Sequence, residues 1–204
     1  MRQRLLALLG LLPSMLVAGC SVFGYRGGTP QPHFDVVDTV GPVAIRHYGP
    51  RLTADTQVTN ASAADARDTG FKRLAGYIFG DNDADERIEM TAPVGQAPAT
   101  TDGWRIRFFL PPTLHMAEAP KPDDERISLH QVPGADYAVL RFSGDRSQTA
   151  VERHIDILRQ HLRRSAWQPD GAPVAWFYDP PWTVPFLRRN EVAIEVTREV
   201  GGGP

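Results

Sequence analysis

Apolar residues recur at helical spacing in two places in this chain and at strand spacing, or in short β-rich runs, across most of the rest. That imbalance confines it to a sheet with helices packed against it. In the first helical segment Phe71, Leu74, Ala75, Ile78 and Phe79 fall at i, i+3, i+4, i+7 and i+8, and Gly80 is a C-terminal stop. The second runs from about Ser147 to Ala166, with Val151, Ile155, Leu158 and Leu162 on one face. Alternating or β-rich runs occupy residues 35–40, 43–48, 88–96, 104–110, 127–132, 137–142, 174–178 and 191–196. The order is strands, helix, strands, and then the same again. It predicts an α+β fold of two repeated strand-helix-strand-strand units, closing into an antiparallel sheet or distorted barrel with two flanking helices.

The N-terminus reads as a processed leader. Arg2 and Arg4 precede the apolar run Leu5 to Val17, and Leu16-Val17-Ala18-Gly19 places small residues directly before Cys20. That run is shorter than the ~20 residues a membrane-crossing helix needs. The pattern resembles a bacterial lipobox, so residues 1–19 are expected to be a signal peptide and Cys20 the site of lipidation. Two or three acyl chains there suffice for stable anchoring, and Ser21 in place of Asp points to the outer membrane, facing the periplasm. Residues 20–32, with Gly24, Gly27, Gly28, Pro30 and Pro32, read as a tether, residues 33–199 as the folded domain, and residues 200–204 as a flexible tail.

Cys20 is also the sole cysteine, which excludes an intrachain disulfide, Cys-rich zinc sites and covalent haem attachment. With 22 Lys+Arg against 24 Asp+Glu the chain carries a net −2, and lacks the basic footprint of a nucleic-acid binder. Cleavage leaves enough chain for one well-buried domain.

Several blocks carry a family resemblance. They are Ile45-Arg46-His47-Tyr48-Gly49-Pro50, Gly70-Phe71-Lys72-Arg73-Leu74, Tyr77-Ile78-Phe79-Gly80-Asp81-Asn82, Met90-Thr91-Ala92-Pro93-Val94, Tyr178-Asp179-Pro180-Pro181-Trp182 and Arg189-Asn190-Glu191-Val192. In this order they resemble the SOUL haem-binding proteins, from about residue 35 to residue 197. The resemblance implies a distorted β-barrel flanked by two helices and reversible, non-covalent binding of haem or a related porphyrin. One branch of the family ligates iron through the histidine of the Arg-His-Tyr motif, which here is His47.

The residues permit that reading. Alternation along 43–48 puts Val43, Ile45 and His47 on one face of a strand and Ala44, Arg46 and Tyr48 on the other, so His47 shares its face with apolar residues. His47 is thus the candidate axial ligand, the alternative being a packing histidine. Arg46 is the candidate propionate partner at the rim of a groove. Phe71, Leu74 and Ile78 of the helical stripe, with Met90 on the following strand, form one wall of an open groove in the functional reading and plain core in the other. His154 and His161 lie too far apart along a helix to chelate one metal. Asp81, Asp83 and Asp85 start like a calcium loop, but Glu86 stands where the turn needs Gly and Ala92 where a bidentate Glu belongs.

Nothing in the chain looks catalytic. Gly-x-Ser-x-Gly, Ser-x-x-Lys, His-Glu-x-x-His and phosphate-loop patterns are all missing, and the sole lysines are Lys72 and Lys121. The expectation is therefore an envelope lipoprotein that binds a tetrapyrrole without transforming it. Its competitors are a binding module for another apolar small molecule, an envelope protein-interaction module with a vestigial groove, and a tetrapyrrole-modifying enzyme.

Overall fold

The computed structural model describes residues 28–99 and 102–199. The expected signal peptide, Cys20, most of the expected linker and the expected tail lie outside those residues. The elements in chain order are β1 (Phe34–Val40), β2 (Val43–Tyr48), β3 (Arg51–Val58), α1 (Ala63–Phe79), β4 (Val94–Pro98), β5 (Trp104–Phe109), β6 (Ile127–Val132), β7 (Ala135–Phe142), α2 (Gln148–Leu162), β8 (Trp167–Pro169), β9 (Val174–Phe177), a 3-10 turn (Pro185–Leu187) and β10 (Asn190–Arg198).

All ten strands join one antiparallel sheet in the order β1-β2-β7-β10-β9-β4-β5-β3-β6, with β8 paired to β10. The fold is α+β, as expected, but the sheet does not close into a barrel. Its edges are β1 and β6. β1 carries a bulge between Val36 and Asp38 and turns mostly exposed residues outward, features that keep an edge strand from taking another partner.

Both helices cover one face. Under α2 lie Val43 and Ile45 of β2, Ala138, Leu140 and Phe142 of β7, and Val192, Ile194 and Val196 of β10, against Leu158 and Leu162. Under α1 lie Leu52 and Ala54 of β3, with Ile106 and Phe108 of β5, against Leu74, Tyr77 and Ile78. The alternate residues, Tyr48, Phe109, Val139, Trp176 and Ala193, pack with Phe34, Tyr137, Val174 and Tyr178 on the opposite face.

α1 starts earlier than its apolar stripe implied. Ser62 caps it, its Oγ accepting from the Asp65 amide and donating to the Asp65 carboxylate. The buried face comprises Ala66, Gly70, Leu74, Tyr77 and Ile78, and Phe79 of the expected stripe is exposed. Gly70 explains the rotation: a Cβ there would stand 2.4 Å from Ile106 Cγ1, so the helix lies directly on β5 at this point.

The expected strand at 88–96 is a strand only from Val94; before it the chain is a loop organised by Asn82. The buried Asn82 amide donates to the carbonyls of Tyr77 and Glu86 and accepts from the amides of Ala84 and Glu86. The acidic loop is thus held by one asparagine, and no group of three or more metal-ligating side chains occurs among the described residues.

Candidate functional site

The face opposite the helices carries a trough of about 850 Å³, within the range of small-molecule sites. Trp176, Phe109 and Tyr137 contribute aromatic surface, while Arg51, Arg105, Arg107, Asp55 and Glu195 contribute charge. Strand alternation places the charges there: Leu52 and Ala54 go to the helix side, so Arg51 and Asp55 go to the trough.

Most of these charges are already matched. Arg107 donates twice to Asp55, at 2.7 and 2.5 Å. Arg105 has only a 3.9 Å contact to the same carboxylate, and its side chain is 42% exposed. Burial, and then the like charge of Arg107, hold Arg105 below the usual arginine range. Arg51 is surrounded by rings, its guanidinium carbon 4.6 Å from the centroid of Tyr48, 5.2 Å from Tyr137 and 5.5 Å from Phe109. Its Nε and Nη2 are buried without an acceptor. Glu195 accepts the Tyr137 hydroxyl at 3.3 Å.

Beside the trough, at the level of Tyr48, Glu191 is fully buried between two arginines. Arg46 donates to both its oxygens, at 2.9 and 3.2 Å, Arg189 donates at 2.9 Å and the Tyr178 hydroxyl at 2.8 Å. Burial opposes the charge of Arg46, but the hydrogen bonds and field of Glu191 outweigh it and raise its pKa. Burial, then Glu191's charge, push the Tyr178 phenol well up.

The residues singled out from the sequence are not brought together. Arg46 does face away from Val43 and Ile45, yet its guanidinium is buried on Glu191 rather than free at a rim. His47 extends the apolar face beyond α2 into solvent. Its ring is 51% exposed and Nδ1 lies 2.7 Å from Asp136. Leu74 and Ile78 are sealed in the core under α1, so the slot expected between that helix and the sheet is closed there. Phe71 and Met90 are each 36% exposed, Phe71 meeting Phe108 edge to face. Four strands, β7, β10, β9 and β4, separate His47 on β2 from β5 beneath α1.

Arg51, Arg105 and Glu191 escaped the sequence reading. For Glu191 a signal existed: on β10 Val192, Ile194 and Val196 alternate with Glu191, Ala193 and Glu195, which puts a carboxylate on an interior face. For β3 there was little, because Arg-Leu-Thr-Ala-Asp-Thr-Gln-Val lacks apolar alternation. Its polar residues are buried by matched bonds instead, Asp55 to Arg107 and the Thr56 hydroxyl to the Arg126 carbonyl.

An open antiparallel sheet with two helices on one face and a lined trough on the other defines the class of α+β domain to which this chain conforms. A sequence model of the SOUL heme-binding protein family matches residues 29–195, and the chain belongs to that family. It is 29% identical over 136 residues to heme-binding protein 2 of Mus musculus, covering 62% of this chain and 66% of that one. It is 29% identical over 140 residues to heme-binding protein 2 of Homo sapiens, covering 66% and 64%. The chain therefore matches just under two thirds of the length of these relatives. Heme-binding protein 1 of Sus scrofa is 25% identical over 144 residues, 68% of this chain and 76% of that one. Among solved structures, the C-terminal domain of EcmrR superposes with a TM-score of 0.57 at 10% identity, covering 76% of this chain and 97% of that one. A hydrolase from Listeria innocua gives 0.54 at 10% identity, covering 79% and 94%. At such identities these two likenesses speak for the fold alone.

Proposed function

We propose that this protein reversibly and non-covalently binds haem or a related tetrapyrrole, without transforming it, as a lipid-anchored protein of the outer membrane facing the periplasm. Membership of the SOUL family across residues 29–195 carries the tetrapyrrole reading, and the small residues before Cys20 carry the anchor. The trough gives it a seat: about 850 Å³, aromatic surface from Trp176 and Tyr137, and Arg105, whose weak contact to Asp55 leaves it free to take a propionate. A haem there would supply the iron chemistry, and the chain's own residues would bind and orient the macrocycle. His130 is the imidazole that lines this trough.

A second seat has one specific observation in its favour. Metal-binding histidines usually donate their other ring nitrogen to a carboxylate, and Asp136 at 2.7 Å from Nδ1 holds His47 in that way. A haem ligated by Nε2 of His47 would sit at the surface, on the other face of β2 from the trough.

Titration of the mature domain with hemin is expected to give a saturable Soret shift near one equivalent. Weak, unsaturable binding would refute the tetrapyrrole reading. An altered Soret position in His47→Ala favours the surface seat, whereas a shift lost in Arg105→Ala and His130→Ala with His47→Ala unchanged favours the trough. The anchor is tested separately: labelled palmitate should enter the wild type and not Cys20→Ser, and label in both removes the lipoprotein assignment.

A further inference from the structure

Between the two helices, on the face away from the trough, lies a smaller cleft of about 230 Å³. Val151 and Ile155 of α2, Pro98 and Trp104 of the sheet beneath, and Ala175 give it an apolar lining. At one end stand Arg67 of α1 and Arg146, just before α2. Both guanidiniums face one ring, that of Phe177, at 4.7 and 5.9 Å from its centroid.

Neither arginine has an ion-pair partner among the described residues. Arg67 donates from Nη1 to the Gln96 side-chain oxygen at 2.9 Å, and its Nε is buried without an acceptor. Arg146 has a long, 3.4 Å bond to the Asp179 carbonyl. Two half-buried like charges sharing one aromatic ring repel each other, because burial removes the water that would screen them. Burial, then the charges of Arg67 and Arg188, press Arg146 down to about 10. The charges of Asp68 and Asp179 oppose this without reversing it, and Arg67, on which Asp68 and Asp145 act in the same sense, is likewise lowered by burial. The acids that line the cleft, Glu152 and Asp156, stand on α2, where Glu152 is bonded to Gln148 at 2.8 Å and Asp156 has Arg159 one turn along.

An anion between Arg67 and Arg146 would turn their repulsion into attraction and give their N–H groups acceptors, while an apolar body attached to it would fill the space beside Val151, Ile155 and Trp104. We infer that the interhelical cleft is a second binding site, for a small amphipathic monocarboxylate such as a medium-chain fatty acid, whose carboxylate is held by Arg67 and Arg146. The cavity is below the usual size for drug-sized ligands, which excludes a macrocycle and favours a narrow chain. The site is independent of the tetrapyrrole reading and contains neither His47, Arg105 nor His130; of its lining residues Gln96 alone also reaches the trough.

Octanoate is the probe, followed by calorimetry and by the fluorescence of the tryptophans, Trp104 included. The wild type should bind it saturably at one equivalent, and Arg146→Met and Arg67→Met should each bind at least tenfold more weakly, the loss of a charge-assisted hydrogen bond. Hemin binding should be the same in all three. On the wild type alone, 1-octanol should bind at least tenfold more weakly than octanoate, a comparison that needs no variant to fold. Absence of saturable octanoate binding, equal binding of octanol, or full affinity in the two arginine variants would each overturn the inference, and none of these results touches the hemin titration.

Discussion

Glu191 lies where water does not reach, and a carboxylate is tolerable there because two guanidiniums and a phenol supply hydrogen bonds to both of its oxygens. Removing the carboxylate alone strands Arg46 and Arg189. Glu191→Leu is therefore expected to cost about 3–5 kcal/mol, measured by urea unfolding. Adding Arg46→Met to it should recover part of the loss, since one stranded charge goes with it. A double variant less stable than Glu191→Leu would show that Arg46 is held by Phe34, 4.4 Å beneath it, and not chiefly by the carboxylate. The side from which Arg46 leaves its strand was legible, because alternation fixes faces. Its partner was not, since Glu191 lies 145 residues away along the chain. His47 shows the same limit: it shares a face with Val43 and Ile45, but the end of α2 decides that the cover stops before reaching it.

At the level of elements, α1 was placed by its stripe and its glycine stop, and its rotation was misjudged because Gly70 leaves no mark on an apolar pattern. The helix rests on β5 through the absent side chain. A methyl at Gly70 would meet Ile106 Cγ1 at 2.4 Å and Cβ at 2.7 Å, neither of them the free end of a flexible chain. Overpacking typically costs 1–3 kcal/mol, of which roughly 1 is returned by the better helix propensity of alanine. Gly70→Ala should thus lower stability by up to about 2 kcal/mol, and the loss should shrink when Ile106→Ala opens the space beneath. A double-mutant cycle reads this directly; additive effects would mean that the contact does not limit the helix. The same loss of pattern hid β3, which is buried on both faces through threonines and an aspartate that only their partners make legible.

For the molecule as a whole, the α+β class and eight of the ten strands could be read from periodicity, β3 and β8 being missed, whereas closure could not, because it depends on whether β1 and β6 meet, and no local pattern records that. What the open sheet does with its second face has a measurable consequence. Tyr48 is buried and Tyr137 and Tyr178 are half-buried there, Tyr77 is buried on the inner face of α1, and desolvation is the leading cause that raises all four, with Asp83 helping to push Tyr77 up to about 12. Each phenol is held protonated in the fold above the ~10 at which it ionises in an unfolded chain. The folded state therefore keeps protons that the unfolded state releases, and the sign of linkage is fixed: the contribution is complete below pH ~10 and is lost as pH rises through the folded values. The urea midpoint should stay level from pH 8 to 9.5 and fall steadily from pH ~10 toward 12. Tyr77→Phe should flatten part of that fall, because a phenylalanine has no proton to release in either state. Absorbance near the phenolate band should show most of the five tyrosines ionising only as the protein unfolds. A midpoint that does not move across this range, or phenols that all titrate near pH ~10 in the folded protein, would mean that the aromatic face is open to water.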